Sequence, residues 1–523
     1  MEPVAVPHTE FPHTSKLVTD YLYHYHRVAP FYGGNPYEAA SYEAAAARID
    51  FPVSRREALV AALGEINGDN PSLDKLARPG TFAVVTGQQA GLFTGPCYTI
   101  YKALTAVKLA RTLSSRGLNA VPVFWIATED HDFAEVSHCW GFDASLNPVP
   151  FELSGDGDRR PVGTIRLENP PLNQLRATLS ALPYGDEVAT VAELCYAPGR
   201  TLGAAMMELL KRILPECLLY LDPLQPAIRS LSAPLVREAL AAADELREKL
   251  QTRTQELDRA GYHAQVRVDG ASSLLFLLEN GRRLPLRKRD GGYSAGERSY
   301  TEEELAARAE SLSPNALLRP VVQDYILPTV AYVGGPAEIA YFAQSQTLFQ
   351  ALLGRMPVAV PRASFTILDT RAAKLMKRYG LRISDFFHGL AGLEEKIAAR
   401  LIPPDLEEAI LTTTESVAGH IAELREKLDE FDPTLAAALD KSRSKILHQL
   451  AKIERKAARE ALRRENRAEA DAAYLSNLIY PKKRPQERFY TVLPFLARHG
   501  LDFPNRVYDN VHLDCRDHLV LTV

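Results

Sequence analysis

The stretch TFAVVTGQQAGLFTGPCYTIYKALTAVKLA (81–110), followed by VPVFWIA (121–127), constrains the fold of this chain more than any other feature. A buried strand over 82–85, a loop with three glycines, a helix over 97–113 and a second buried strand make a βαβ unit. Short apolar runs bounded by Gly, Pro and charge mark strands covered on both faces. Such a unit crosses over right-handedly and meets its ligands beyond the carboxyl ends of its strands. The segments that fall there are TGQQAGLFTGP and TEDHDFAE. The loop is neither a dinucleotide fingerprint nor a P-loop, since it lacks GK[ST].

The pattern returns in ILPTVAYVGGPAEIAYFAQ (326–344), again strand, glycine turn and helix, and MPVAVPRASFTIL (356–368) reads as one further buried strand. Two such turns predict an α/β fold with one doubly wound parallel sheet interrupted in sequence, its parts at 1–140 and 311–385. Between them, 141–310 carries inserted elements with Gly/Pro/Asp turns, as in FELSGDGDRRPVG and RKRDGGYSAG. A helical stretch lies near 201–260, and Asn280-Gly281 signals a hairpin. In 386–480, Val417, Ile421, Leu424, Leu428 and Phe431 follow coiled-coil spacing, Asp432-Pro433 interrupts it, and Ile446, Leu450, Ile453 and Ala457 resume it. This predicts an antiparallel helical coiled coil. The tail, 481–523, is expected to pack back on the core.

At 523 residues and 46% apolar content the chain is expected to fold into two or three packed units. A net charge of −4 gives no overall reason to expect nucleic acid or membrane. Residues 441–470 hold ten Lys/Arg against four Glu, but without interleaved aromatics, which reads as a solvated helix face. Five cysteines without CxxC spacing argue against a zinc knuckle or a disulfide framework. No basic-then-apolar leader and no apolar run of about 18 residues is visible. A cytoplasmic protein is the expectation.

Three constellations carry candidate chemistry. In the first, Gly95 lets an anion approach the backbone at the start of a helix near Pro96, and Thr86, Gln88, Gln89, Thr94 and Tyr98 supply neutral hydrogen bonds. In the second, Glu129, Asp130, His131 and Asp132 follow a strand end, where they can orient an amine, accept its proton or hold a cation; one of the Asp residues is expected to cap a helix. With His138 nearby a metal site comes into view, but no second cluster completes a cage, so no metal ligands are assigned. In the third, Gly334 and Gly335 open a helix whose first turn carries Glu338, while Arg319, Gln323 and Asp324 precede the strand. Cys97 stands at a helix start where a thiol can be activated, yet without a neighbouring His it reads as an apolar filler. KLMKR (374–378) lies within a helical pattern and carries little weight.

Together VVTGQQAGLFTGPCYTIYKA, PVFWIATEDHDFAEV, LRPVVQDYILPTVAYVGGPAEIAYFAQ and PVAVPRASF, with HTSKLVTDYL and LIYPKKRPQER toward the ends, resemble the bacillithiol biosynthesis cysteine-adding enzymes, the BshC family. The resemblance implies a Rossmann-like core with connecting-peptide insertions, akin to class I synthetases and nucleotidyltransferases, and a C-terminal coiled coil that makes a homodimer. It implies the last step of bacillithiol synthesis, the joining of cysteine to glucosaminyl-malate. Class I synthetases carry HxGH where this chain has Thr94-Gly95-Pro96-Cys97, so the phosphate-stabilising histidines are absent.

A free carboxylate is a poor electrophile, and amide formation therefore implies activation, by ATP with magnesium on chemical grounds rather than from a nucleotide motif; no tightly bound cofactor is expected. The turns at Gly95 and Gly335 are then expected to hold anionic groups, with Asp130, His131 and Asp132 on the amine. The alternatives are a synthetase-like tRNA-binding protein, a metal-dependent hydrolase using EDHD, and a coiled-coil scaffold.

Overall fold

The computed structural model describes residues 3–523 apart from Asp156 and Asp290. Those two aspartates, counted above among the turn residues, lie outside the described residues. The chain divides into two compact units, Met1–Thr366 with Glu487–Leu521, and Ile367–Gln486 with Thr522–Val523.

The first unit is built on a five-stranded parallel sheet of β1 (Phe82–Gln89), β2 (Ala120–Ala127), β3 (Leu219–Leu221), β4 (Thr329–Gly334) and β5 (Val358–Pro361), in the spatial order β5-β4-β1-β2-β3. Helix α1 (Tyr98–Ser115) connects β1 to β2. Helix α2 (Arg319–Ile326) precedes β4, and α3 (Pro336–Leu353) connects β4 to β5. Strand alternation serves two cores. Val84 faces Ala106, Leu109 and Leu113 of α1, whereas Ala83 and Val85 face the other way, into the larger core with Leu59, Leu63 and Phe342. β1 has β2 on one side and β4 on the other, so the winding reverses between β1 and β4 and leaves a crevice beyond their carboxyl ends.

One reading is corrected. MPVAVPRASFTIL is not one strand: β5 ends at Pro361, which offers no N–H to prolong the ladder, and a separate strand, Phe365–Leu368, begins after the turn. Arg319, Gln323 and Asp324 come just before β4, as read, and lie on α2, which has a proline in its first turn. The hairpin forms as read, with Ser272–Glu279 and Arg282–Arg289 joined by Asn280 and Gly281 at φ 52° and 75°, as a two-residue primed turn requires. Strand Val4–Val6 pairs antiparallel with the C-terminal strand, Val4 opposite Val520.

The second unit carries the long helices α4 (Pro404–Phe431) and α5 (Pro433–Arg464). Asp432 breaks them apart and accepts the Thr434 N–H as a cap. An Arg425–Asp440 ion pair at 3.1 Å ties them antiparallel. Leu424, Phe431, Ile446 and Ile453 of the predicted seam are exposed. Among the described residues no helix is long and apolar enough to cross a membrane.

Candidate functional site

The crevice between β1 and β4 widens into a cavity of about 540 Å³, within the range of small-molecule sites. Gln88 and Gln89 enter from β1, Tyr98 and Lys102 from α1, Glu129, Asp130 and His131 from the end of β2, Phe276 and Arg283 from the hairpin, and Gly335 to Glu338 from the turn into α3. Arg319, Arg362 and Arg488 complete the wall.

On the β1–β4 side the central group is Lys102. It lies one turn after Tyr98, so its stem runs back along α1 toward the strand ends. Nζ donates to the Gly87 carbonyl at 2.9 Å and to Gln88 Oε1 at 3.0 Å, and sits 2.5 Å from Glu338 Oε2. Glu338 also accepts the Tyr332 hydroxyl at 2.6 Å and the Gly335 N–H at 2.7 Å, so this first-turn carboxylate satisfies the N–H at the start of its own helix. Burial alone would push the Glu338 carboxyl up, but Lys102 and these donors outweigh it and hold it low; burial pulls the Lys102 ammonium down. Arg319 is held by neutral oxygens instead, the Gln323 amide at 3.1 Å and the Tyr341 and Tyr332 hydroxyls at 2.9 and 3.3 Å.

On the β2 side carboxylates are paired with guanidinium groups. Glu129 is buried and accepts Ser313 Oγ at 2.7 Å and Arg229 at 3.3 Å. Asp130 accepts the Gln89 amide at 2.7 Å and the His131 N–H at 2.7 Å, with Arg283 at 3.4 Å. Partial burial raises its carboxyl, but His131, Arg283 and Gln89 hold it well below the usual carboxylate range. Arg283 stacks on Phe276, 4.0 Å from the ring centroid, and faces His131 Nδ1 at 3.2 Å. Asp130 Oδ1 lies 3.5 Å from the same Nδ1, so this ring nitrogen sits between a donor and an acceptor. Glu135, on the short helix Phe133–Val136, shares the Gln89 amide at 2.8 Å and also lines the cavity.

The structure brings Gln88, Gln89, Tyr98, Glu129, Asp130, His131, Arg319, Gly335 and Glu338 to one cavity. It places the others elsewhere. Thr86 is buried in the sheet, its hydroxyl donating to the Val333 carbonyl at 2.8 Å. Thr94 and Gly95 turn inward after the 3₁₀ turn Leu92–Thr94; the Thr94 N–H donates to the Tyr196 hydroxyl at 3.0 Å, and the Cys97 N–H to the Tyr490 carbonyl at 2.8 Å. The start of α1 is therefore sealed by protein and does not face the cavity as an anion seat. Asp132 is the exposed cap, accepting the Glu135 N–H at 3.2 Å. Gln323 is buried behind Arg319, and the Gly334 carbonyl accepts the Arg362 N–H at 2.9 Å. The Gly335 N–H is already taken by Glu338. Cys97 is buried and its thiol is pushed far up, which disables it as a nucleophile. Among the described residues no group of three or more His, Cys, Asp or Glu is arranged to hold a metal.

Lys102, Glu135, Arg283, Arg362 and Arg488 were not singled out from the sequence. A lone lysine within the apolar run YTIYKALTAV was the available signal for the first. For Arg488 nothing in PKKRPQER shows that it returns to the cavity.

Comparison with known proteins gives the same picture along the whole chain. Residues 4–363 match the family described as Bacillithiol biosynthesis BshC, N-terminal Rossmann-like domain, and residues 365–523 match its C-terminal coiled-coil domain. A relative from Solibacter usitatus is 54% identical, and one from Koribacter versatilis 37%, each over 100% of both chains. One from Symbiobacterium thermophilum is 33% identical over 96% of both. Each bears the name of a cysteine ligase BshC, assigned provisionally.

Proposed function

The chain belongs to the bacillithiol biosynthesis BshC family, and on that premise we propose that it is a cytoplasmic cysteine ligase joining the carboxyl group of L-cysteine to the amine of glucosaminyl-malate. The observation that carries this reading is the meeting of both signs of charge in one cavity at the sheet's reversal point. The Asp130 and Glu135 carboxylates line it at and just after the end of β2, and the guanidinium groups of Arg319, Arg362 and Arg488 line it as well. An amine and an anion are the two things such a cavity accommodates together.

In this reading the Asp130 and Glu135 carboxylates accept the N–H bonds of the amine and take up the proton released when it attacks. Gln89, bonded to both at 2.7 and 2.8 Å, keeps them at a fixed separation. His131 lines the same cavity and donates to the oxygen that gains charge. Arg319 suits an anionic partner, because among the described residues neutral oxygens alone hydrogen-bond its guanidinium and a carboxylate or phosphate would complete them. ATP with magnesium would supply the leaving group that turns the cysteine carboxylate into an electrophile. Cys97 takes no part.

The exposed apolar seam of α4 and α5 supports a homodimer formed through these helices. The test of the ligase reading is mass-spectrometric detection of the amide after mixing the purified chain with cysteine and glucosaminyl-malate. Product with ATP and magnesium and none without nucleotide supports it; no product in any mixture refutes it.

A further inference from the structure

Behind the cavity wall lies a buried polar chain. Arg362 is bound by both oxygens of Glu487, at 2.8 and 2.6 Å, and Nη1 also donates to the Ala363 carbonyl at 2.9 Å. Glu487 accepts the Ser364 hydroxyl at 2.9 Å and the Phe365 N–H at 3.1 Å. Ser364 spends its proton on this carboxylate, so its oxygen accepts from His518 Nδ1, 2.6 Å away, and His518 Nε2 accepts the Thr366 hydroxyl at 2.8 Å. The tautomer of His518 is fixed by its two neighbours. Arg362, Ser364, Glu487 and His518 are each at most 7% exposed.

This arrangement decides which edge of Arg362 is free. Both Nη groups are committed to Glu487, and Nε lies beside the Gly335 turn, 3.6 Å from where a Cβ on Gly335 would stand. The same carboxylate fixes the start of the segment that presents Arg488, the next residue, at the cavity mouth, where its guanidinium and that of Arg362 lie 5.9 and 5.4 Å from the Tyr98 ring centroid.

We propose that Glu487, held by Ser364 and through it by His518, is a positioning residue that aims the Nε edge of Arg362 and the Arg488 guanidinium at an anionic group of the substrate lying over Gly335. The group is a carboxylate or a phosphate, both of which a guanidinium edge binds. The proposal rests on the ligase reading for the identity of the substrates. It makes the segment that returns at Glu487 part of the site's machinery rather than a closing strap.

The test measures KM and kcat separately for wild type, E487Q and S364A, together with calorimetric affinity for glucosaminyl-malate, ATP and cysteine. With Glu487 misplaced, the affinity for one of the anionic ligands falls about tenfold, the scale of one misplaced charged hydrogen bond, and KM rises with it, while kcat changes less than about threefold. S364A shows the same pattern more weakly. Which ligand loses affinity separates the carboxylate from the phosphate. R362K, which keeps the charge and loses Nε, reproduces the E487Q pattern and stands in if E487Q does not fold. A merely structural role would lower the melting temperature and the active fraction and leave KM and affinity unchanged in all three variants, which overturns the proposal. Wild-type protein that binds glucosaminyl-malate with an affinity sensitive to E487Q, yet forms no amide, retains the positioning role and refutes the ligase reading alone.

Discussion

Lys102 Nζ and Glu338 Oε2 lie 2.5 Å apart and tie the end of β1 to the start of α3 across the point where the sheet reverses. Both side chains are largely buried, and Lys102 finds acceptors for all three protons in Glu338, Gln88 and the Gly87 carbonyl. The expected anion seat at the start of α3 is thus filled by the protein's own carboxylate. Substrate anions are left to the arginines.

Breaking that pair is predicted to be costly. K102M leaves the Glu338 carboxylate buried without its cation, and E338Q does the converse; each loses about 3–5 kcal/mol. The double variant K102M/E338Q is more stable than K102M alone, since no uncompensated charge remains. Urea unfolding of the three proteins checks the order.

Asp130 and Asp132 are two residues apart and have different fates. D130N removes the carboxylate shared by Gln89 and Arg283 at the cavity, and ligation falls at least about 100-fold, the scale of a lost proton acceptor. D132A loses a helix cap worth about 1 kcal/mol and keeps its turnover. Steady-state rates beside thermal melts separate the two.

Acid stability should report the buried chain behind Arg362. Burial raises the Glu487 carboxyl, but Arg362 and its other donors outweigh this and bring it from 4.5 to about 2. Its folded value is depressed, so its stabilisation is complete above pH 4.5 and is lost as pH falls toward 2, amounting to roughly 3 kcal/mol. His518, pulled down by burial from 6.5 to about 3, takes its proton more readily when unfolded, so it erodes stability as pH falls from 6.5 to 3. In unfolding free energies measured from pH 7 to 2.5, H518Q flattens the upper part of the decline and E487Q the lower part.

The thiol of Cys97 is predicted to be dispensable. C97A retains turnover within about twofold and loses about 1 kcal/mol of packing, while iodoacetamide leaves native Cys97 unmodified. Peptide mapping after alkylation gives the answer directly.

The exposed seam makes a prediction about assembly. L424E/I453E places charge on two exposed apolar positions of α4 and α5, and sedimentation at micromolar concentration is expected to show a dimer in wild type and a monomer in the variant.

The strand ends and their turns were legible in the sequence because strand periodicity and glycine turns are local signals. This located Gln88, Gln89, Asp130, His131, Gly335 and Glu338 in one cavity. Locality also explains the errors. The glycines of TGQQAGLFTGP suggested a backbone open to anions, but Tyr196 and Tyr490, distant in sequence, close over that turn. Arg283 and Arg362 reach the site through long-range topology, and Lys102 looks like an interruption of an apolar helix until Glu338 stands opposite. Thr86 and Gln323 are polar residues spent inside the fold, which spacing alone does not distinguish from polar residues spent on ligand.

The central claim is that the carboxyl carbon of cysteine is activated and then taken by an amine in this cavity. The most direct measurement supplies cysteine labelled with ¹⁸O in both carboxylate oxygens, with glucosaminyl-malate, ATP and magnesium, and follows the label by mass spectrometry. The account predicts one labelled oxygen in the amide product and one in AMP or inorganic phosphate, in equal amounts, with neither formed by D130N. Amide formed while AMP and phosphate stay unlabelled, or no amide at all, would contradict it.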